Sequence, residues 1–232
     1  MVWQRLTSIT QKFYLKSVCF LCNQAHSHSK VICADCTNYL DPIGAACFSC
    51  ATPLPQSDYL VCGRCIKKKP HVDSMQAAYY FTEPLRSIMH EFKYKGGIYL
   101  TQFLAELMLE KTPETILHSE CFIPIPLHYK KLRQRGFNQA AELAKYLGKV
   151  LGIPVELNCC KKQIMTPAQA ELRGVKRRQN LRDVFSISSI TYKNITLIDD
   201  IITTGSTLNE LARMIKKNSA ITIHAWGCAK AV

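Results

Sequence analysis

The stretch Ile195-Thr-Leu-Ile-Asp-Asp-Ile-Ile-Thr-Thr-Gly-Ser-Thr207 constrains this chain more than any other part of it. Ile195 to Ile198 are apolar or β-branched and read as a parallel strand, because strands covered on both faces carry near-continuous apolar runs. Asp199 and Asp200 stand where that strand is expected to end. Thr203-Thr204-Gly205-Ser206-Thr207 follows as a loop of hydroxyls around one glycine. Leu208, Leu211, Ala212 and Ile215 then recur at helical spacing. Strand, acidic pair, hydroxyl loop and helix start together make a site for a phosphorylated sugar. Loop amides and the positive end of the helix dipole hold phosphate, and carboxylates accept hydrogen bonds from sugar hydroxyls. Helix capping explains one hydroxyl at such a turn; it does not explain a run of them beside a carboxylate pair.

The first seventy residues are dominated by cysteine. Twelve cysteines occur in the chain, and eight of them form four Cys-x-x-Cys pairs: Cys19/Cys22, Cys33/Cys36, Cys47/Cys50 and Cys62/Cys65. Two cysteines at this spacing chelate one metal from a tight knuckle, and two knuckles complete a tetrahedral site of four thiolates. Ten residues separate the first two pairs and eleven the last two, which suits a short hairpin. Sequential pairing therefore gives two structural Zn2+ sites; a cross-braced pairing of first with third and second with fourth stays open. A disulfide framework fits a secreted protein, and the polar start MVWQRLTSITQKFYLKS has no apolar core of a secretory signal. An iron–sulfur cluster is a second alternative to zinc. His26 and His28 lie between the first pairs and are read as surface residues. Cys121, Cys159, Cys160 and Cys228 sit in apolar runs and read as reduced core residues. Reduced cysteines and the absence of a targeting signal point to the cytoplasm. No run of eighteen apolar residues exists, so no membrane insertion is expected.

The net charge is +13, with 30 Lys and Arg against 17 acidic residues. The excess is concentrated: residues 130–182 hold thirteen basic against three acidic side chains. Lys130, Lys131, Arg133 and Arg135 form one cluster; Arg173, Lys176, Arg177, Arg178 and Arg182 form another. Beside a phosphate site, a surplus this local points to a polyanion such as nucleic acid. Tyr94 and Tyr129 lie next to basic residues and are candidates to stack bases, whereas Phe92 and Phe137 read as core.

Ile66-Lys-Lys-Lys-Pro70 marks an expected boundary, giving a Cys-rich zinc-ribbon domain over 1–69 and a second domain over 70–232. In the second domain, strands are expected at 74–81, 121–125, 155–160, 195–198 and 220–228. Helices are expected around Leu85–Phe92, Leu100–Met108, 137–151 (with Ala140, Ala141, Ala144 and Leu147 inward) and 206–217. A long loop follows the strand at 121–125, and 161–182 reads as a loop with a helical part. Alternating strands and helices imply an α/β fold, a mostly parallel sheet with helices on both faces. Ligands of such sheets bind beyond the carboxyl ends of the strands, which puts the loop after 121–125 beside Asp199.

The run at 195–207 resembles the motif that binds 5-phosphoribosyl-1-pyrophosphate (PRPP) in type I phosphoribosyltransferases. The resemblance implies that Asp199 and Asp200 contact the ribose hydroxyls. It also implies that Thr203, Thr204, Gly205, Ser206 and Thr207 wrap the 5′-phosphate, with Mg2+ accompanying PRPP. The loop Pro124-Ile-Pro126-Leu-His-Tyr-Lys-Lys-Leu-Arg133-Gln-Arg135-Gly-Phe-Asn138-Gln matches the pyrophosphate-holding loop in position, and guanidinium forks at Arg133 and Arg135 suit pyrophosphate. Residues 161–182 match the flexible hood loop.

Four Cys-x-x-Cys pairs, then PIPLHYKKLRQRGFNQA, RGVKRRQNLRDVF and LIDDIITTGST, in that order, resemble the competence protein ComF/GntX family over nearly the whole chain. That family is phosphoribosyltransferase-like with an N-terminal double zinc ribbon, and members take part in bacterial natural transformation. The resemblance implies PRPP binding and the handling of incoming single-stranded DNA in the cytoplasm, with a helicase of the uptake machinery as a further candidate partner. The alternative is an active phosphoribosyltransferase acting on an unidentified base or small molecule. In that reading Asp199, Asp200, Arg133 and Arg135 form the catalytic set, acting by positioning and charge stabilisation.

Overall fold

The computed structural model describes residues 17–26, 30–55, 60–163, 184–217 and 220–232. They fall into two compact units, Met1–Tyr39 and Leu40–Val232. The expected boundary at 66–70 lies inside the second unit.

In the first unit, Ser17–Val18 pairs antiparallel with Ala25–His26. One helical turn follows over Ala34–Thr37. Cys19 and Cys33 are buried, so sulfur ligands replace the apolar core that so short a segment lacks.

The second unit is built on a four-stranded, all-parallel sheet. In chain order its main elements are β1 (Ser74–Tyr80), α1 (Leu85–Tyr94), α2 (Thr101–Leu109), β2 (Cys121–Pro124), α3 (Tyr129–Arg135), α4 (Gln139–Leu151), β3 (Asn194–Ile202), α5 (Ser206–Lys216) and β4 (Thr222–Lys230). The strand order is β1-β4-β3-β2, with Ile195 opposite Ile223 and Asp199 opposite Gly227. Gly227 has a packing reason: a Cβ there would stand 2.7 Å from the Ile202 side chain.

Each helix follows from its apolar spacing. Leu85, Ile88, Met89 and Phe92 are the buried stripe of α1. Phe103, Leu104, Leu107 and Met108 are buried on α2. The N-cap of α4 is Asn138, whose side chain accepts from the Ala140 amide at 3.2 Å, and Gly152 ends the helix at φ +71, the usual polar start and left-handed stop. Strand alternation places helices on both sheet faces. Ile223 and Ala225 of β4 share a core cluster with Leu208, Leu211, Ala212 and Ile215 of α5. Cys228, of opposite parity, reaches the Leu104 carbonyl of α2.

Four expectations are corrected. The central strand runs on to Ile202, so Asp199 and Asp200 lie within β3 and not after it; ladder bonds to β4 keep the backbone extended through the polar pair. The long loop after β2 contains α3, stopped by Gly136 at φ +82. The strand expected over 155–160 is reduced to a bridge from Val155 to Phe122; the nearby strand is Cys160–Lys162, antiparallel to Phe185–Ile187. On α4, Leu143 faces the core while Ala141 is half-buried.

The second cysteine segment is laced to the outer edge of the sheet. The Met75 amide donates to the Phe48 carbonyl at 2.8 Å, Ile43 to Ala78 at 3.0 Å and Tyr80 to Asp41 at 2.8 Å. Chain 41–48 thus covers β1, an edge whose open amides would otherwise invite a partner strand. No helix among the described residues is long and apolar enough to cross a membrane.

Candidate functional site

Two sulfur clusters form, Cys19/Cys22/Cys33/Cys36 and Cys47/Cys50/Cys62/Cys65, each with its four ligand atoms within 4.8 Å of one another. The pairing is therefore sequential and not cross-braced. Sγ of Cys22 and Cys33 are 3.8 Å apart, and those of Cys50 and Cys62 are 3.7 Å apart. A tetrahedral zinc thiolate, with Zn–S of about 2.3 Å, has an S–S edge of about 3.8 Å, so each cluster fits one ion. A multi-iron cluster needs its cysteine sulfurs spread further. Knuckle amides support the sulfurs: Cys33 N lies 3.4 Å from Cys19 Sγ, and Cys62 N lies 3.2 Å from Cys47 Sγ. Arg64 Nη2 reaches Cys50 Sγ at 3.7 Å. Burial pushes the Cys50 thiol up, but hydrogen bonds with Thr52 and Arg64 outweigh it and lower it to about 6, while burial, together with neighbouring sulfurs, pushes Cys47 and Cys65 up.

The second centre lies at the carboxyl end of β3. Asp200 is 7% exposed and is ion-paired with Lys93 of α1, Nζ to Oδ2 3.0 Å. Its own amide donates to Asp199 Oδ1 at 2.9 Å, and the Ile201 amide donates to Asp200 Oδ1 at 2.7 Å. Burial, and then the neighbouring Asp200, push the Asp199 carboxyl up to about 8, with Lys93 opposing.

Asp199, Thr203, Gly205, Ser206 and Thr207 border one small depression. Gly205 sits at φ +70 as the N-cap of α5, and a Cβ there would lie 2.9 Å from Met75 Sδ. Thr204 Oγ1 and Ser206 Oγ are 2.9 Å apart. Lys230, 4% exposed, donates from Nζ to the Thr203 and Ala231 carbonyls at 2.6 Å each and pins the loop from behind.

Further cations gather at this end of the sheet. Lys131 of α3 is half-buried, and burial, then Arg135 and Lys93, push its amine below the usual lysine range. Lys162 is likewise pushed down by burial and by Lys131, with Asp199 opposing. Arg135 lies with its Cζ 5.0 Å from the Tyr94 ring centroid and donates to the Tyr94 hydroxyl at 3.4 Å and to Gln139 Oε1 at 3.2 Å. Arg133, Lys130 and Tyr129 are exposed on α3, and Tyr129 packs against His128 at 4.5 Å. The structure thus brings Asp199, Asp200, the hydroxyl loop, Lys131 and Arg135 to one end of the sheet. Arg173, Lys176, Arg177, Arg178 and Arg182 lie outside the described residues.

Lys93, Lys162 and Lys230 were not singled out from the sequence. Lys93 stands in the basic turn Phe92-Lys-Tyr-Lys, but only folding shows that it faces Asp200. Its replacement by alanine leaves a buried carboxylate without its counter-charge. Lys93→Ala is expected to lower stability by about 2 kcal/mol, measured by urea unfolding. Asp199 gives a pH signature. Its folded value is raised from 3.8 to about 8, so its contribution to stability is full below pH 4 and is lost as pH rises to 8. Asp199→Asn removes that loss. The variant should therefore gain on wild type across pH 4–8, by about 2 kcal/mol at the top after allowing for the side chain's partial solvent access. Unfolding midpoints across that range test it, and a gap independent of pH contradicts the assignment.

A family profile described as "Double zinc ribbon domain" matches residues 12–66. The chain is 35% identical over 179 residues to "Competence protein F" of Haemophilus influenzae, covering 73% of this chain and 78% of that protein. It is 28% identical to "DNA utilization protein YhgH" of Salmonella typhimurium, covering 90% of this chain and 95% of that protein. Among solved structures, orotate phosphoribosyltransferase from Aeropyrum pernix aligns with 66% of this chain and 68% of its own at 13% identity and a TM-score of 0.36; at that score the likeness carries no weight. The sequential cysteine clusters, the motif order and the identity across most of both chains agree: this chain belongs to the competence protein ComF family.

Proposed function

We propose that the protein binds PRPP at the carboxyl end of β3 and handles single-stranded DNA in the cytoplasm during DNA uptake. The observation that carries the PRPP half is the depression shared by Asp199 and the hydroxyl loop, with Lys93 and Lys162 close to the acidic pair and Lys131 and Arg135 next to those lysines in turn. In this reading the ribose hydroxyls donate to Asp199 and Asp200. The 5′-phosphate takes the amides and hydroxyls of Thr203 to Thr207 at the start of α5. Pyrophosphate, with its Mg2+, lies against the cations of α3, Arg133 and Arg135 among them. The DNA half is supported by the names of the relatives, competence protein F and DNA utilization protein. The basic face of α3 supports it too, with Lys130 and Tyr129 exposed and Tyr94 stacked on Arg135.

The same cations favour a second reading, phosphoribosyl transfer. There the bond from ribose C1 to pyrophosphate breaks, the cations take the charge of the leaving group, and a nucleophile bonds to C1. Calorimetry with PRPP and Mg2+, with and without an oligothymidine, tests the first reading. Saturable PRPP binding supports it, and no heat of PRPP binding overturns it. Pyrophosphate release in the presence of candidate acceptors supports the second.

A further inference from the structure

The hydroxyl loop has a second neighbour. Thr204, Gly205 and Ser206 also border a larger cleft of about 740 Å3, lying wholly within the second unit. Its remaining wall comes from the second cysteine knuckle, the segment leaving it, and α5. Five cations line it: Arg64, Lys68, Lys69, Arg213 and Lys217. The one carboxylate among its lining residues, Glu210, is engaged by Arg213 through two hydrogen bonds of 2.7 and 2.9 Å. Arg64 is held in place by Thr52 Oγ1 at 3.3 Å and by Cys50 Sγ at 3.7 Å. Lys68 and Lys69 are exposed.

We infer that this cleft takes the sugar–phosphate backbone of a single-stranded nucleic acid, which rests on the DNA half of the proposed function and gives it a second location. Three observations carry the inference. Five cations stand against Glu210 and the net charge of −2 that a zinc ion with four thiolates would carry at Cys50 and Cys65, which leaves the lining net positive, the electrostatic footprint of a polyanion. The side-chain donors are those that phosphates take, guanidinium and ammonium, and they stand on the knuckle side and on α5, apart from the hydroxyl loop. The volume lies within the range of about 300–1,000 Å3 typical of clefts that enclose a ligand, room for a short run of a single strand's backbone. Among the described residues no Phe, Tyr or Trp lines the cleft, so it grips phosphates and does not stack bases. Its contribution is therefore independent of sequence and steep in salt.

The test is fluorescence anisotropy with an oligothymidine, comparing wild type with Lys68→Glu/Lys69→Glu across a salt series. Both side chains are exposed, and neither belongs to the PRPP site, so PRPP binding by the variant is expected to match wild type. Oligonucleotide affinity should fall about tenfold or more, and the log–log salt slope should become shallower by about one to two. Undiminished binding by the variant overturns the assignment and leaves the DNA reading standing. No oligonucleotide binding by wild type overturns both. Poly-aspartate displacing the oligonucleotide at matched charge makes this an acidic-peptide surface, and pyrophosphate doing so makes it a small-anion pocket; either result overturns the assignment.

Discussion

Replacing Asp199 and Asp200 together by alanine is expected to abolish the proposed PRPP binding and to leave the proposed oligonucleotide binding largely intact. In the proposed site the two side chains accept from the ribose hydroxyls, and a hydrogen bond contributes about 0.5–1.5 kcal/mol to a neutral group and about 1.5–3 kcal/mol to a charged one. Losing one such bond to each ribose hydroxyl lowers affinity by about 100-fold or more, beyond the reach of calorimetry at ordinary concentrations. The fold survives because Asp199 is half-buried and its removal ends the unfavourable placing of a carboxyl beside Asp200, which already holds Asp199 largely protonated. The cost falls on Lys93, which loses its partner at 3.0 Å but is half-buried and turns to solvent. The basic face of α3 and the cleft beside the second knuckle use neither carboxylate, so binding of a strand persists. Parallel titrations with PRPP and with oligothymidine check this, and joint loss of both activities would mean that the two ligands share one site.

Breaking the second sulfur cluster has a different result from breaking the first. Cys65→Ser is expected to lose one zinc and to destabilise the sheet unit, whereas Cys22→Ser loses one zinc and leaves the unfolding of that unit unchanged. Metal binding in isolated zinc modules is worth about 10–16 kcal/mol at pH 7, so a knuckle without its ion does not hold its turn. In the second cluster that turn carries the segment 41–48, bonded to β1 through Phe48, Ile43 and Asp41. Its loss uncovers the sheet edge and removes Arg64 and Lys68 from the cleft. The first cluster belongs to Met1–Tyr39, a separate compact unit. Metal content and thermal unfolding of the two variants, each in the full chain, decide the matter. Equal loss of sheet stability in both would show that the two units unfold together.

Much of this was legible in the sequence because local rules govern it. Leu85, Ile88, Met89 and Phe92 recur at helical spacing and form the buried face of α1. The apolar run at Ile195 is a central parallel strand. Four Cys-x-x-Cys pairs with short spacers give two sites of four cysteines each. The hydroxyl loop stands at the start of a helix, after a strand, with Asp199 beside it. Each of these depends on residues within a few positions of one another, where spacing and propensity decide.

What the sequence did not disclose depends on residues far apart in the chain. The acidic pair looks like a strand end because polar residues usually mark one, yet the ladder with β4 holds Asp199 and Asp200 extended. Lys93 meets Asp200 across more than a hundred residues, and Lys230 reaches back to the Thr203 carbonyl. No periodicity encodes either contact. Spacing left the choice between sequential and cross-braced cysteines open, because both satisfy a tetrahedral ion, and the backbone path settled it. The sequence by itself determined most of the helices and strands, the metal-ligand chemistry and the end of the sheet where the candidate site stands. Tertiary structure alone decided which cations face the carboxylates and that the second knuckle borders the hydroxyl loop, because long-range packing and charge pairing, not local propensity, bring those groups together.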